Sequence, residues 1–180
     1  MKRWFALSAI GRDRPGIVAD LAELIYDCDS NLEDSSMTIL GTEFAVLLLA
    51  SGEGPDVAER LSAACKRLEW EKRLTVFVRP LEGGPSHERH PGARLECTVT
   101  GVDKAGIVAR VARTLAEQGV NVTDLRTESR PEPESGTPIY TMRIRMTAPP
   151  GVDRRDLQAR LERVASDLRV DLALSAAPED

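Results

Sequence analysis

Arg3 to Ile10 alternates well enough for a strand, and from Pro15 onward the period of the apolar positions lengthens. Ile17, Val18, Leu21, Leu24, Ile25 and Cys28 recur at helical spacing behind a Pro-Gly entry, which predicts a helix over about Pro15 to Cys28. Two strands follow, about Leu32 to Leu40 and Glu43 to Ala50, parted by a Gly41-Thr42 turn. A second helix, about Pro55 to Leu68, is expected to bury Val57, Leu61, Ala64 and Leu68, and a strand over Arg73 to Val78 closes the unit. The element order is βαββαβ.

The chain then writes the same pattern again. An offset of 90 superposes Gly11 on Gly101, Asp13 on Asp103 and Gly16-Ile17-Val18-Ala19 on Gly106-Ile107-Val108-Ala109. Asn31 meets Asn121 and Asp34 meets Asp124 at the same offset, while Arg60-Leu61 meets Arg160-Leu161 only at 100. The change comes from about ten extra residues, "SRPEPESGTP" over Ser129 to Pro138, whose Pro, Glu, Ser and Gly suit a protruding hairpin loop. In the second copy the elements fall at about Arg94 to Gly101, Gly106 to Gln118, Val122 to Glu128, Ile139 to Met146, Arg154 to Leu168 and Val170 to Leu174. Tyr140, Met142, Ile144 and Met146 take one face of its third strand, and Thr141, Arg143 and Arg145 the other. The expected fold is α+β: two ferredoxin-like βαββαβ domains, each an antiparallel sheet with two helices on one face. The domains run over 1–80 and 94–180, joined by a polar Gly/Pro-rich linker over 81–93. The run "FAVLLLA" (Phe44 to Ala50) is more apolar than a sheet with one wet face requires. It implies pairing of sheets or helices between copies, between chains, or both.

Composition narrows the function. The 180 residues carry a formal charge of −5 with 42% hydrophobic and 4% aromatic side chains, and no apolar run approaches the roughly 20 residues that span a bilayer. The N-terminal "MKRWFALSAIG" faintly resembles a secretory signal, but removing it would delete the first strand, so it reads as structure in a cytoplasmic protein with no membrane partner. Cys28, Cys65 and Cys97 share no metal or disulfide spacing and read as reduced structural residues. His87 and His90 lie between prolines in the linker, so neither a metal site nor a Ser–His–Asp or Cys–His arrangement is expected, and no cofactor is called for. RNA recognition motifs share this element order but need sheet-face aromatics and a basic surface. With so few aromatics and a negative charge, direct nucleic-acid binding is not expected, and the Arg143, Arg145, Arg154, Arg155 cluster reads as a solvated sheet face and helix start.

The duplicated loop carries the candidate chemistry. Helix N-termini present free N–H groups and partial positive charge, suited to a carboxylate or phosphate, and Gly16 or Gly106 lets a ligand approach the backbone. Carboxylates at Asp13, Asp34, Asp103 and Asp124 could meet a cation, and the combination suits a zwitterion such as a free α-amino acid. The same residues also admit a purely structural account: Asp13 and Asp103 as helix caps, the glycines for close packing, Asn31 and Asn121 in turns.

The segment "GRDRPGIVADLAELI…SNLEDSSM" resembles the signature of the ACT domain, a regulatory βαββαβ module that commonly senses amino acids. The Asp-x-Pro-Gly-Ile-Val entry and the Asn-x-x-Asp about fifteen residues later carry the resemblance. It implies effector sites where domains pair, involving Asp13, Pro15, Gly16, Ile17, Asn31 and Asp34 in the first copy. In the second it implies Asp103, Gly106, Ile107, Asn121 and Asp124, with Ala105 standing where the pattern has proline. A free-standing pair of such domains with no catalytic partner resembles the transcription-regulating members of the family. The resemblance therefore implies a non-catalytic regulator that binds a small-molecule amino acid, glycine favoured, and acts through a protein partner as a homo-oligomer or as paired domains. A protein-interaction module with no small-molecule effector is the alternative, and an enzyme using the loop carboxylates comes third.

Overall fold

In the computed structural model, which describes residues 1–84, 91–102, 105–132 and 136–178, the chain divides into two units, Met1–His87 and Glu88–Asp180. The first runs β1 (Arg3–Arg12), α1 (Ile17–Asp27), β2 (Ser30–Leu40), β3 (Glu43–Gly52), α2 (Val57–Lys72) and β4 (Thr75–Leu81). The second runs β5 (Ala93–Val102), α3 (Ile107–Glu117), β6 (Asn121–Pro131), β7 (Pro138–Ala148), α4 (Arg154–Leu168) and β8 (Asp171–Ala176). The sheets are ordered β2-β3-β1-β4 and β6-β7-β5-β8, with every recorded pairing antiparallel. This is the expected ferredoxin-like α+β architecture, twice.

Each core lies between the helices and one sheet face. Phe5, Leu7 and Ala9 of β1 and Phe44, Val46, Leu48 and Ala50 of β3 are buried against α1 and α2, as the two-residue period of a strand requires. The second core repeats this with Leu95, Cys97, Val99, Met142, Ile144 and Met146. Two expected core positions shift. Val18 is half exposed on α1, and Cys65, rather than Ala64, completes the Val57-Leu61-Cys65-Leu68 stripe of α2, because the i, i+4 spacing holds that face to the sheet. Arg73, expected in the last strand, takes a left-handed conformation (φ 55°) that ends α2, and β4 starts two residues later. Much of the expected hairpin loop is ladder: β6 and β7 pair out to Pro131 opposite Pro138, and Thr137 accepts from the Glu132 N–H at 2.8 Å.

All three cysteines are buried and free. Burial pushes the Cys65 thiol up to about 11 and the Cys97 thiol to about 12, and it raises Cys28 as well. Because the thiolate is the nucleophile, native Cys65 and Cys97 should react with an aromatic disulfide reagent near pH 8 at least about a hundredfold more slowly than a free cysteine, and Cys28 more slowly too. All three should titrate once denaturant is added. A thiol that titrated promptly in the native state would contradict this packing. Among the described residues no helix is long and apolar enough to cross a membrane, and no three His, Cys, Asp or Glu groups cluster to hold a metal. His87 and His90 lie outside the described residues.

Candidate functional site

The loop after β1 is tied down at both ends. The Asp13 N–H donates to the Thr42 carbonyl at 2.8 Å, holding the loop against the β2–β3 turn. Gly16 is the N-cap of α1 at φ 93°, a left-handed conformation open to glycine, and its carbonyl accepts the Asp20 N–H at 2.9 Å. No side chain caps the helix, so the Asp13 carboxylate does not serve as the cap that its position suggested. The uncapped first turn borders a cleft of about 370 Å³ lined by Asp13 through Ala19 together with Met37 and Phe44. Asp13, Pro15, Gly16 and Ile17 therefore do come together.

Three charged residues that the sequence did not single out stand behind this loop. Arg14 Nη2 lies 2.8 Å and Lys72 Nζ 3.1 Å from the Asp20 carboxylate, and these two cations hold that carboxyl below its ordinary range. The second copy reverses the sign. Gly106 caps α3 at φ 96°, again with no side-chain cap, but the counterpart of Asp20 is Arg110, whose guanidinium lies 2.7 Å from Asp167. An anion approaching α3 thus meets no acidic side chain in the first turn, whereas one approaching α1 meets Asp20. Ile107 is buried beneath Gly106, and Asp103 lies outside the described residues.

The Asn-x-x-Asp motif has a backbone meaning of its own. In each unit the ladder slips inside it, between Leu32 and Asp34 and between Val122 and Asp124. In a regular strand residues i and i+3 point to opposite faces, and one extra residue brings them to the same one. Asn31 and Asp34 sit opposite Ser51 and Leu49, so both belong to the helix-free face, as do Asn121 and Asp124 opposite Thr147 and Arg145. The bulged Glu33 accepts from the Ser51 hydroxyl and lies 2.8 Å from Lys2 Nζ; these partners hold its carboxyl below the usual range.

Asn31 is the second residue of β2, while the loop sits beside the end of that strand. At about 3.3 Å per residue, Asn31 and Leu40 are about 30 Å apart, and Asp34 is about 20 Å from Leu40. Asn31 lines a separate depression with Lys2, Tyr26, Asp29 and Ser51, and Asp34 a third on the helix-free face. Within the first unit the candidate residues do not form one pocket.

Two glycines of the repeat have a packing role instead. A Cβ on Gly11 would lie 2.6 Å from Leu74 Cδ2, and one on Gly101 would lie 2.7 Å from Val170 Cγ1. At Gly16 and Gly106 a Cβ has room, and only the backbone conformation calls for glycine.

Comparison with known proteins agrees with this architecture. An ACT domain family model matches residues 4–79, and a second ACT domain model matches residues 96–166. The chain is 22% identical over 169 residues to the glycine cleavage system transcriptional repressor of Escherichia coli K12, covering 93% of this chain and 86% of that one. The crystal structure of an unknown protein from Galdieria sulphuraria superposes with a TM-score of 0.76 at 28% identity, covering 99% of this chain and 100% of that one. A second crystal structure, provisionally assigned as a glycine cleavage system transcriptional repressor, gives 0.72 at 21% identity over 99% of each chain and shows the shared fold. Two family matches spread over most of the sequence, on two βαββαβ units, establish that the chain belongs to the ACT-domain family.

Proposed function

We propose that this chain is a non-catalytic regulator that binds a free amino acid where two ACT units pair and passes the signal to a protein partner. The observation that carries the reading is the uncapped, glycine-entered helix start, built the same way in both copies at φ 93° and 96°. Its N–H groups suit the ligand's carboxylate.

Pairing supplies what a single unit lacks. β2 is an edge strand whose helix-side residues Leu32, Met37 and Ile39 are exposed beside Val18 of α1, an apolar margin suited to another edge. Antiparallel pairing of two such edges sets the start of one strand beside the end of the other. Asn31 of one unit then approaches Pro15, Gly16 and Ile17 of its neighbour, spanning the 30 Å that separates them within a unit. In the second unit Asn121 begins β6 and stands in the same relation to Gly106 and Ile107. A ligand gripped from both sides favours the paired state only by its differential affinity for it. The similarity to a glycine cleavage repressor supports transcriptional control of amino-acid metabolism as the setting and glycine as the first ligand to test.

The test is a thermal-shift screen of the full chain against the twenty amino acids, followed by calorimetry. A selective ligand at a hundredfold excess over Kd should add about 2.7 kcal/mol of stability. If none of the twenty moves the transition at millimolar concentration, the sensor reading fails and a protein-interaction module takes its place.

A further inference from the structure

The helix-free faces of the two units occupy equivalent positions and have opposite chemistry. In the second unit this face holds Glu96 between Arg145 at 3.3 Å and Arg143 at 3.7 Å, with Arg126 3.4 Å from Asp124. Its charges are satisfied internally and stay wet. In the first unit the positions of Glu96, Arg143 and Arg145 are taken by Ala6, Leu47 and Leu49. Leu47, Phe77 and Ile10 are 57%, 63% and 48% exposed on this face. The duplication acts as an internal control: the topology tolerates a charged surface here, and one copy has an apolar one.

The ladders arrange that surface in rows. One row reads Asp34–Leu49–Ala6–Arg79, the next Ser36–Leu47–Ser8–Phe77, and the third Thr38–Ala45–Ile10–Thr75. A shallow hollow of about 310 Å³ lies over Ala6, with Asp34 and Arg79 on its rim. Neither of those charges makes an ion pair among the described residues; the recorded partner of the Asp34 carboxylate is the Ser35 N–H at 2.7 Å.

We propose that this face of the first unit docks on the same face of a second copy of the chain, about a two-fold axis running along the strands between β1 and β3. Such an axis reverses strand order and keeps height, so each row meets itself backwards. Asp34 then lies against the partner subunit's Arg79 and Arg79 against the partner subunit's Asp34, which gives two ion pairs. Leu49 falls over alanine, Leu47 over serine, Ile10 over alanine and Phe77 over serine: large against small in every row. Sheets stacked in this way pack about 10 Å apart with their strands nearly aligned. Four strands at about 4.8 Å, ten residues long, present about 600 Å² per face, or about 1,200 Å² in total, which reaches the lower end of specific interfaces. This contact leaves the β2 edge free and does not depend on a ligand.

Sedimentation equilibrium of the full chain over a range of concentrations tests it. The wild-type mass should rise with concentration by a step that Leu47→Arg abolishes, since arginine occupies the equivalent position of the second unit. Asp34→Arg and Arg79→Asp should each raise the dissociation constant at least about tenfold, because each places like charges together twice per dimer. The double exchange, Asp34→Arg with Arg79→Asp, should restore association. Circular dichroism confirms that each variant is folded; should Leu47→Arg unfold, the charge exchange on the two edges still decides. Equal masses for wild type and Leu47→Arg at every concentration would overturn the proposal, as they would if another protein or the chain's own second unit covered the face. So would a double exchange that associates no better than the single variants.

Discussion

Leu61→Ala will destabilise the first unit by about 2–5 kcal/mol and leave the melting of the second unit where it was. Leu61 is fully buried on α2, within the core that holds Phe5, Phe44, Ile17 and Leu21. Its replacement removes a large apolar contact and leaves a cavity that the surrounding strands close only in part. Leu161, its counterpart on α4, is equally buried in a second core that shares no residue with the first. In units of this size each kcal/mol moves the midpoint by about 4–8 °C. Differential scanning calorimetry should therefore resolve two transitions in Leu61→Ala, the lower one displaced, with Leu161→Ala displacing the other. If both substitutions shifted one undivided transition, the two cores would be acting as one cooperative body.

Much of this arrangement was legible because the sequence carries two copies of one pattern. A single Gly-x-Asp-x-x-Gly string is weak, yet its recurrence with Asn31/Asn121 and Asp34/Asp124 located both the strand-to-helix turns and the entries of β2 and β6. Buried faces follow from periodicity, and the buried stripe shifts where neighbouring residues compete for one face, as Ala64 and Cys65 do on α2. Sites are harder to read because sequence proximity hides direction. Asn31 follows the loop by fifteen residues, but α1 carries the chain back to the opposite end of the sheet before β2 begins. The β-bulge that turns Asn31 and Asp34 to one face leaves no sign in composition. The contrast between the two helix-free faces was open to reading in "FAVLLLA" against "TMRIRMT", but only register shows which leucines stand where the arginines do.

The repeated glycines separate fold from site, and Gly11→Val should show the fold side of that division with a loss of about 1–3 kcal/mol. Gly11 sits in extended backbone opposite Phe44, and any Cβ there drives into Leu74, itself buried at the head of β4. Gly101→Val should cost a similar amount against Val170, which packs on the second core. Because the clash is steric, trimming the neighbour should relieve it: Leu74→Ala should cost less in the Gly11→Val background than alone, a coupling that a double-mutant cycle in urea measures. Gly16→Ala is different in kind. Its Cβ meets only Arg14 Nη1 at 3.9 Å, so the cost of about 1–2 kcal/mol comes from holding an L-residue at φ 93°. That methyl would also sit beside the uncapped N–H groups that the ligand is proposed to reach. Folded Gly11→Val should therefore keep its ligand affinity while folded Gly16→Ala loses it. Equal affinities in the two variants would move the site away from the helix start and leave both glycines to the fold.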